Sequence, residues 1–480
     1  MPSATKYIAA THQERNVFHV PIVSERTRRR MAYRKAIDYY NGQHTPQLTG
    51  DESTYNTYIN MVKMTADRTV SFLFPDMPVV ELDPNSIEPT NEEIWVKKLL
   101  DYNGGLSLLT KLGLRGFLSG HNFVKIVPGN PYPKIISLDP NSVTMFWRAD
   151  DINDVLWYEV RYYAQGRIWI QDYVKIEDDL WAIVTYKTRI RNQELIGQAP
   201  GNVGEANATL DYLEFGADKF EHESTALHTS KIPPIVAWSH YPNPDDIYGA
   251  GEFNQSDLQD LINRIASERN RIIRENSDPV DVLIGADADE IESHSNMYAI
   301  SNPSAKVTRL QMNGDLTGLN NVLDKLIETY LSIARVVLLK GEAKDLQRVT
   351  NASVRTLFLD ALAKNQVLQD VYKRSLSHII RLCLEMAYAD GEVEINPDTI
   401  DITIGFASPL PVDMTEVVNT VNIAMNAGVM SKRTGRIKLN LDPAFEQAAI
   451  TAEREDDRDY MIELTTQEDS DNIEIEENNE

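Results

Sequence analysis

At 480 residues, 42% of them apolar, the chain has room for several domains and a substantial core. Its formal charge of −25 argues against a protein that coats nucleic acid through clustered lysines and arginines. The single cysteine, Cys383, excludes an intramolecular disulfide and a cysteine-rich zinc site. With no signal-peptide pattern and no apolar run of about 18 residues, a soluble protein made in a reducing compartment is expected.

The first twenty or so residues show no period and read as a loose arm. Ser24 then caps a helix that Gly42 stops, and its Arg26, Arg28, Arg29, Arg30, Arg34 and Lys35 read as a solvated face rather than a phosphate site. Further helices are expected from Ile59 to Leu73, from Glu92 to Tyr102 and from Leu106 to Ser119, the last apolar enough for the interior. At His121 the period changes from about 3.6 to 2, and strands follow: NFVKIVPG, PKIISLDP, SVTMFWRAD, DVLWYEVRYYA, RIWIQDYVKIED and LWAIVTYKTRI. Trp147, Trp157, Trp169 and Trp181 sit within these alternating patterns, which marks them as sheet core rather than a ligand cage. Residues 196–208 read as a loop, Lys231–Ala237 as an extended run at an edge, and YPNPDDIYGAG as a hinge.

A helix of some 23 residues, about 35 Å long, begins near Phe253. Leu258, Leu261, Ile262, Ile265, Ile272 and Ile273 form its apolar stripe, with Asp257, Asp260, Arg264, Ser267, Arg271 and Arg274 on the other side. Asn276-Ser277-Asp278-Pro279 ends it. VDVLIG, MYAIS and KVTRLQM then predict a small β module, too small to hold its own core. It carries seven acidic residues against Lys306 and Arg309. Asp287, Asp289, Glu290 and Glu292 fall in a loop without the glycine turn and twelve-residue spacing of an EF-hand, so they read as a solvated or partner-facing acidic surface and not as a metal site. A second helix follows, with Leu319, Val322, Leu323, Leu326, Ile327, Tyr330, Leu331 and Ala334 on one face. The two helices are expected to pair antiparallel, packed through Leu258, Ile262, Ile265, Leu323, Leu326 and Tyr330, with further copies of the chain against their outer sides.

The polar stretch after Leu339 is locally basic through Lys340, Lys344 and Arg348. A long helix is expected from Ala352 to Ala389, its buried stripe including Val354, Leu357, Phe358, Leu368, Tyr372, Ile379 and Cys383, which makes Cys383 a packed thiol. IDITIGF reads as a strand, Met414 to Ala427 as a helix, and Ser431 as the cap of SKRTGRIKL. From Glu453 onward 13 acidic residues face two basic ones, and this tail reads as disordered.

The order of YYNGQH, YGAGEFNQSDLQDLINR, TNASVRTLFLDALAKNQ and GVMSKRTGRIKLNLDP resembles that of the portal proteins of tailed bacteriophages, from about Ser24 to Glu453. The resemblance implies an α+β portal fold: an arm and strand-rich wing at 1–250, a stem helix at 251–277, a β clip at 278–316 and a second stem helix at 317–339. A tunnel loop at 340–351, a long helix returning to the wing at 352–412 and a helical crown with the acidic tail at 413–480 would complete it. It also implies a ring, usually of twelve subunits, at one capsid vertex of a virion assembled in the host cytoplasm. Its partners would be the terminase large subunit and then head–tail adaptors on the clip, major capsid and scaffolding protein around it, and double-stranded DNA in the channel, with no membrane. Lys340, Lys344, Gln347 and Arg348 are the residues expected to meet DNA. A channel that must let DNA slide suits an acidic protein with few fixed cations.

Enzyme signatures are missing: no Walker A sequence, GxSxG, HExxH or Cys/His metal spacing occurs, and GAGEF lacks the third glycine of a dinucleotide loop. No enzyme activity, cofactor or metal is expected. The competing reading is another oligomeric virion protein, such as a head–tail adaptor or a scaffold ring.

Overall fold

The computed structural model describes residues 18–19, 23–83, 90–148, 150–165, 167–177, 179–188, 220–243, 246–253, 255–277, 280–284, 291–294, 297–300, 306–310, 316–337, 356–394, 396–397, 400–410, 414–439, 441, 446–452 and 454. In chain order its main elements are β1 (Phe18–His19), α1 (Val23–Tyr40), α2 (Met61–Leu73), β2 (Val79–Glu81), α3 (Asn91–Tyr102), α4 (Gly105–Ser119), β3 (His121–Val127), β4 (Lys134–Ser137), β5 (Val143–Arg148), β6 (Asp151–Ala164), β7 (Arg167–Glu177) and β8 (Leu180–Thr188). Then come β9 (Phe220–Thr229), β10 (Ile235–Ser239), β11 (Tyr241–Asn243), β12 (Asp246–Ala250), α5 (Ser256–Ser277), β13 (Val280–Ile284), β14 (Ile291–His294), β15 (Met297–Ile300), β16 (Lys306–Leu310), α6 (Leu316–Ala334), α7 (Leu359–Ala389), β17 (Thr403–Gly405), α8 (Met414–Asn426) and α9 (Lys432–Lys438). This is a mixed α+β chain in two compact units: residues 1–30, 69–251 and 341–480 form one, and 31–68 with 252–340 the other.

The first unit holds a six-stranded antiparallel sheet in the order β1-β5-β6-β7-β8-β9, a three-stranded sheet β10-β3-β4, and the pairs β11-β12 and β17-β2. Hairpin connections carry β5 through β8, as the alternating sequence predicts. Three parts of this unit were not legible. The strand β9, FEHESTALHT, is polar and exposed at the sheet edge, so it has no apolar alternation to announce it; its ladder with β8 alone makes it a strand. The lead-in read as a hinge forms β11 and β12. Val79–Glu81 is three residues long and becomes a strand by pairing, across more than 300 positions of sequence, with Thr403–Gly405, which lies within the expected strand IDITIGF.

One core gathers Val70 and Leu73 of α2, Val96, Leu99 and Leu100 of α3, Leu109 and Leu112 of α4, and a long stripe of α7 from Leu368 to Ala387. Cys383 belongs to that stripe and is fully buried, and burial raises its thiol pKa, so it packs as an apolar group. Thr90 caps α3 in a reciprocal capping box with Glu93. The helix α7 is described from Leu359, with Phe358 outside helical geometry at ψ 8°, and Leu357, expected on the buried stripe, is exposed. Val354 lies outside the described residues.

Within this core, Tyr372 of α7 makes a buried polar node. Its Oη accepts from Asn122 Nδ2 at 3.0 Å, donates to the Leu112 carbonyl at 3.3 Å, and lies 2.9 Å from His240 Nδ1. The node fits because residue 116 on α4 is glycine: a Cβ there would stand 2.5 Å from both His240 Nδ1 and Tyr372 Oη.

A second core in the same unit contains Phe123, Val143, Met145, Trp147, Tyr158, Val160, Tyr173, Trp181, Ile235 and Tyr248. Trp157 stacks on Phe146 at 4.4 Å and Trp169 on Tyr162 at 6.3 Å. One basic residue of α1 departs from the solvated face expected for it. The Arg29 guanidinium lies 3.4 Å from the Tyr248 ring centroid and Nη2 donates to the Val143 carbonyl. Burial, and then the Arg29 charge, push the His121 imidazole down to about 3.

The sign of the resulting linkage is definite. Between about pH 6.5 and pH 3 an unfolded His121 takes up a proton that the folded one does not, so folding stability falls as pH falls through that window. From pH 7 to pH 5 this group contributes a loss on the order of 2 kcal/mol. His121→Gln should remove that part of the pH dependence in urea unfolding of the first unit, and an unchanged slope would show that His121 does not carry it.

Candidate functional site

The second unit is built on α5 and α6. At about 1.5 Å per residue, 22 and 19 residues make rods of roughly 33 and 28 Å. Ile262, Ala266, Leu323, Tyr330 and Leu331 form their buried core with Met61 of α2, and Leu258, Ile265, Leu326 and Ile327 pack against it. Burial pushes the Tyr330 phenol up to about 12. The six residues expected to pack the helix pair therefore lie in or against one cluster within a single chain. Leu261, Ile273 and Val322, read as part of the same stripes, are instead exposed, as is Ile333. Among the described residues these four are the large apolar side chains that the pair leaves exposed.

The other side of α5 is not solvated throughout. Gln259, Asn263 and Ser267 are fully buried and line up at four-residue spacing against the extended segment 55–61. Gln259 Oε1 accepts from the Met61 amide at 3.0 Å and its Nε2 donates to the Ile59 carbonyl at 2.7 Å. Asn263 Oδ1 accepts from the Ile59 amide at 3.0 Å and Ser267 Oγ from the Thr57 amide at 2.9 Å. Asn270 Nδ2 donates to the Tyr55 carbonyl at 3.1 Å. The match is geometric: four residues of helix advance about 6.0 Å and two residues of extended chain about 6.6 Å, so every second amide of the segment meets a side chain one helical turn further on. Residues 57, 59 and 61 run antiparallel to 267, 263 and 259. The helix stands in for a neighbouring strand. The signal was present in the sequence as Gln, Asn and Ser at i, i+4 and i+8, but polar residues at that spacing read first as a solvent face, which is where Ser267 had been placed.

A third contact fixes the end of α1. Tyr39 Oη donates to Asp260 Oδ1 at 2.7 Å and lies 2.8 Å from Thr45 Oγ1. His44 stacks on Tyr58 and meets Tyr39 edge-on, and burial lowers its pKa.

Between the helices, β13 pairs with β16 and β14 with β15, all antiparallel. The strand Ile291–His294 is one more than the sequence reading supplied. The register sets Asp281 opposite Arg309. Of the acidic candidates, Glu292 lies on β14 opposite Ala299, while Asp287, Asp289 and Glu290 lie outside the described residues. Helix α6 stops at Ala334, five residues short of the expected end, with Arg335 in the left-handed region at φ 54° and the Val336 amide bonded back to Leu331. Lys340, Lys344, Gln347 and Arg348 lie outside the described residues. Among the described residues no group of three or more His, Cys, Asp and Glu is placed to hold a metal ion, and no helix is long and apolar enough to cross a membrane.

Comparison with solved structures finds similarity to the virion of a native gene transfer agent particle, at 14% identity and a TM-score of 0.41 over 86% of this chain and 99% of that one. The chain is also similar to the neck of the native particle computed with C12 symmetry, at 12% identity and a TM-score of 0.43 over 85% and 94%. No curated protein sequence matches. A family model described as phage portal protein, SPP1 Gp6-like, matches residues 20–460, and the chain belongs to that family.

Proposed function

We propose that copies of this chain form a ring, of twelve subunits as is usual for portals, at one vertex of a phage-type capsid, and that DNA enters and leaves through its centre. The family match over residues 20–460 is the observation that carries the reading. The order of elements supports it over an adaptor or scaffold ring: a helix, a β insertion, a second helix, and a long helix after an intervening polar segment. In this reading the chain is a structural virion component, and ATP hydrolysis belongs to the packaging motor.

The helix pair serves as the stem and 278–316 as the clip. The clip's acidic excess, repeated around a ring, offers terminase and later adaptors a surface whose charge sets encounter rate and specificity. Residues 340–351 serve as the tunnel loop, where Lys340, Lys344, Gln347 and Arg348 meet the passing duplex. Replacing the three basic residues by alanine should change DNA packaging or retention while rings still form, and unchanged packaging would remove the loop from the mechanism.

The ring itself is tested at the uncovered side chains. Ile265 and Leu326 pack within the chain, so a charge there tests the helix pair. Val322→Glu together with Ile333→Glu, both at exposed positions, should leave each chain folded and abolish the ring in negative-stain images. Normal rings from the double variant would show that these faces are not subunit contacts.

A further inference from the structure

His44 lies in the turn 41–48 that leads out of α1, and it is the one buried side chain between Asn41 and Gln47. Aromatic rings hold it: Tyr58 stacks on it with centroids 5.6 Å apart, and Tyr39 meets it edge-on at 4.8 Å. Both ring nitrogens are shut off from solvent, and neither has a hydrogen-bond partner among the described residues. A neutral imidazole there strands one N–H and one lone pair. Phenylalanine would fill the same space with no polar group to strand, so what histidine adds at this position is a site for a proton.

The pocket accepts the neutral ring and opposes the charged one. An imidazolium carries two N–H donors, and the pocket gives them no acceptor among the described residues. The titratable and charged groups around the ring are Tyr58, Tyr39, Lys35 with its Nζ 5.4 Å from the Tyr39 centroid, and Asp260 of α5. Burial is the largest influence and lowers the imidazole pKa; the Asp260 charge acts the other way, but its Oδ1 is engaged by the Tyr39 hydroxyl at 2.7 Å. The closed turn is therefore most stable above about pH 6.5 and loses stability as pH falls below it, because the open turn takes up a proton that the closed one does not.

The other ties of the turn are hydrogen bonds to α1 and to Asn56. The Gln43 amide donates to the Asp38 carbonyl at 2.7 Å, Thr45 Oγ1 lies 2.8 Å from Tyr39 Oη, and the amides of Gln47 and Leu48 donate to Asn56 Oδ1 at 3.1 and 3.0 Å. The segment 57–61 is held separately, by Ser267, Asn263 and Gln259, none of which titrates. We propose that His44 is a pH-sensitive latch: the neutral ring pins the turn 41–48 between Tyr39 and Tyr58, and a proton drives the ring out and frees the turn while 57–61 stays on α5. All of these contacts lie within one chain, so the latch works whether or not copies assemble.

The test is hydrogen exchange read by mass spectrometry on the full chain at about pH 7.5 and about pH 5.0, with rates corrected for the intrinsic effect of pH. A free imidazole gains nearly one proton over that range, which sets a ceiling of about 30-fold on the change. Exchange at Gln43, Gln47 and Leu48 should quicken about fivefold or more at the lower pH, while Ile59 and Met61 stay within about twofold. His44→Phe keeps an aromatic ring and cannot titrate, so in that variant the same amides should lose their pH response. Deuterium uptake at the imidazole C2 position of the unaltered chain reads the titration of His44 directly, and its midpoint should fall below about 6.5. A midpoint at or above that value, equal protection of the turn at the two pH values, or a response that survives in His44→Phe would each overturn the proposal. So would a parallel loss at Ile59 and Met61, because the whole unit would then be opening.

Discussion

Asn263→Leu should release the segment 55–61 from α5. Leucine keeps the branched four-atom outline of asparagine and is the bulkier of the two, so the change opens no cavity, but it takes away the acceptor of the Ile59 amide and of one Gln259 donor. The Gln259 side chain stays fully buried and the Ile59 amide half-buried, beside a helix that offers nothing in exchange. The penalty is about 2–4 kcal/mol, the cost of one or two stranded polar groups. Because each 1.4 kcal/mol is a factor of about ten in an equilibrium, amide exchange at Ile59 should quicken by roughly 30-fold or more, with Thr57 following less strongly. Ser267→Ala should cause a smaller change centred on Thr57, whose amide loses its acceptor there. Unchanged exchange at Ile59 in the leucine variant would mean that the segment is held by its apolar contacts and not by this polar stripe.

Arg433→Ala carries the second large effect. Arg433 lies on the seven-residue helix α9 and is 5% exposed; its Nη2 meets Glu93 Oε1 at 2.5 Å, its Nη1 donates to the Asp83 carbonyl at 2.7 Å, and its Nε lies 3.6 Å from Glu81. Glu93 also accepts from the amides of Leu82 and Thr90, so one carboxylate joins α3, β2 and α9. Removing one partner of a buried pair costs about 3–5 kcal/mol, since the other charge stays behind. A helix of seven residues has little stability of its own, and its packing on α8 is tight, with Gly435 set against Val421 and Met425. Trypsin cleavage within Lys432–Lys438 should therefore quicken at least tenfold. Arg433→Met combined with Glu93→Gln should recover part of the loss, because no uncompensated charge is then buried. If both variants behave like the parent chain, α9 is held by apolar contacts alone.

These two clusters also show why part of the molecule was not legible in the sequence. Periodicity reports what a segment does to water, and where that decided the structure it was a good guide: helices α2 to α4, the hairpins of β5 to β8 and the buried stripe of α7 follow it closely. It says nothing about which partner a polar side chain will find. Ser267 and Arg433 have the same local look as surface residues and are buried because a distant segment supplies their hydrogen bonds. Val79–Glu81 and β9 are strands for the same reason, through ladders formed far away in sequence. In the helix pair, spacing found the inner face through Ile262, Leu323 and Tyr330 but extended it too far, to Leu261, Ile273 and Val322.

That overextension bears on function. A pair of helices that buries Ile262 and Leu323 inside one chain and still leaves Leu261, Ile273, Val322 and Ile333 uncovered has more apolar side than its own partner helix can cover. In a ring each copy would cover the uncovered side of the next through a head-to-tail contact that closes on itself. The most direct test is electron microscopy of the purified full-length protein, with the symmetry read from end-on views. The account predicts a closed ring with one rotational axis and a central channel, at or near twelve subunits. A two-fold dimer would contradict it because it has no central channel, and a dihedral assembly would contradict it because its two ends are identical, whereas a conduit at a capsid vertex needs one end for the capsid and another for the motor or tail.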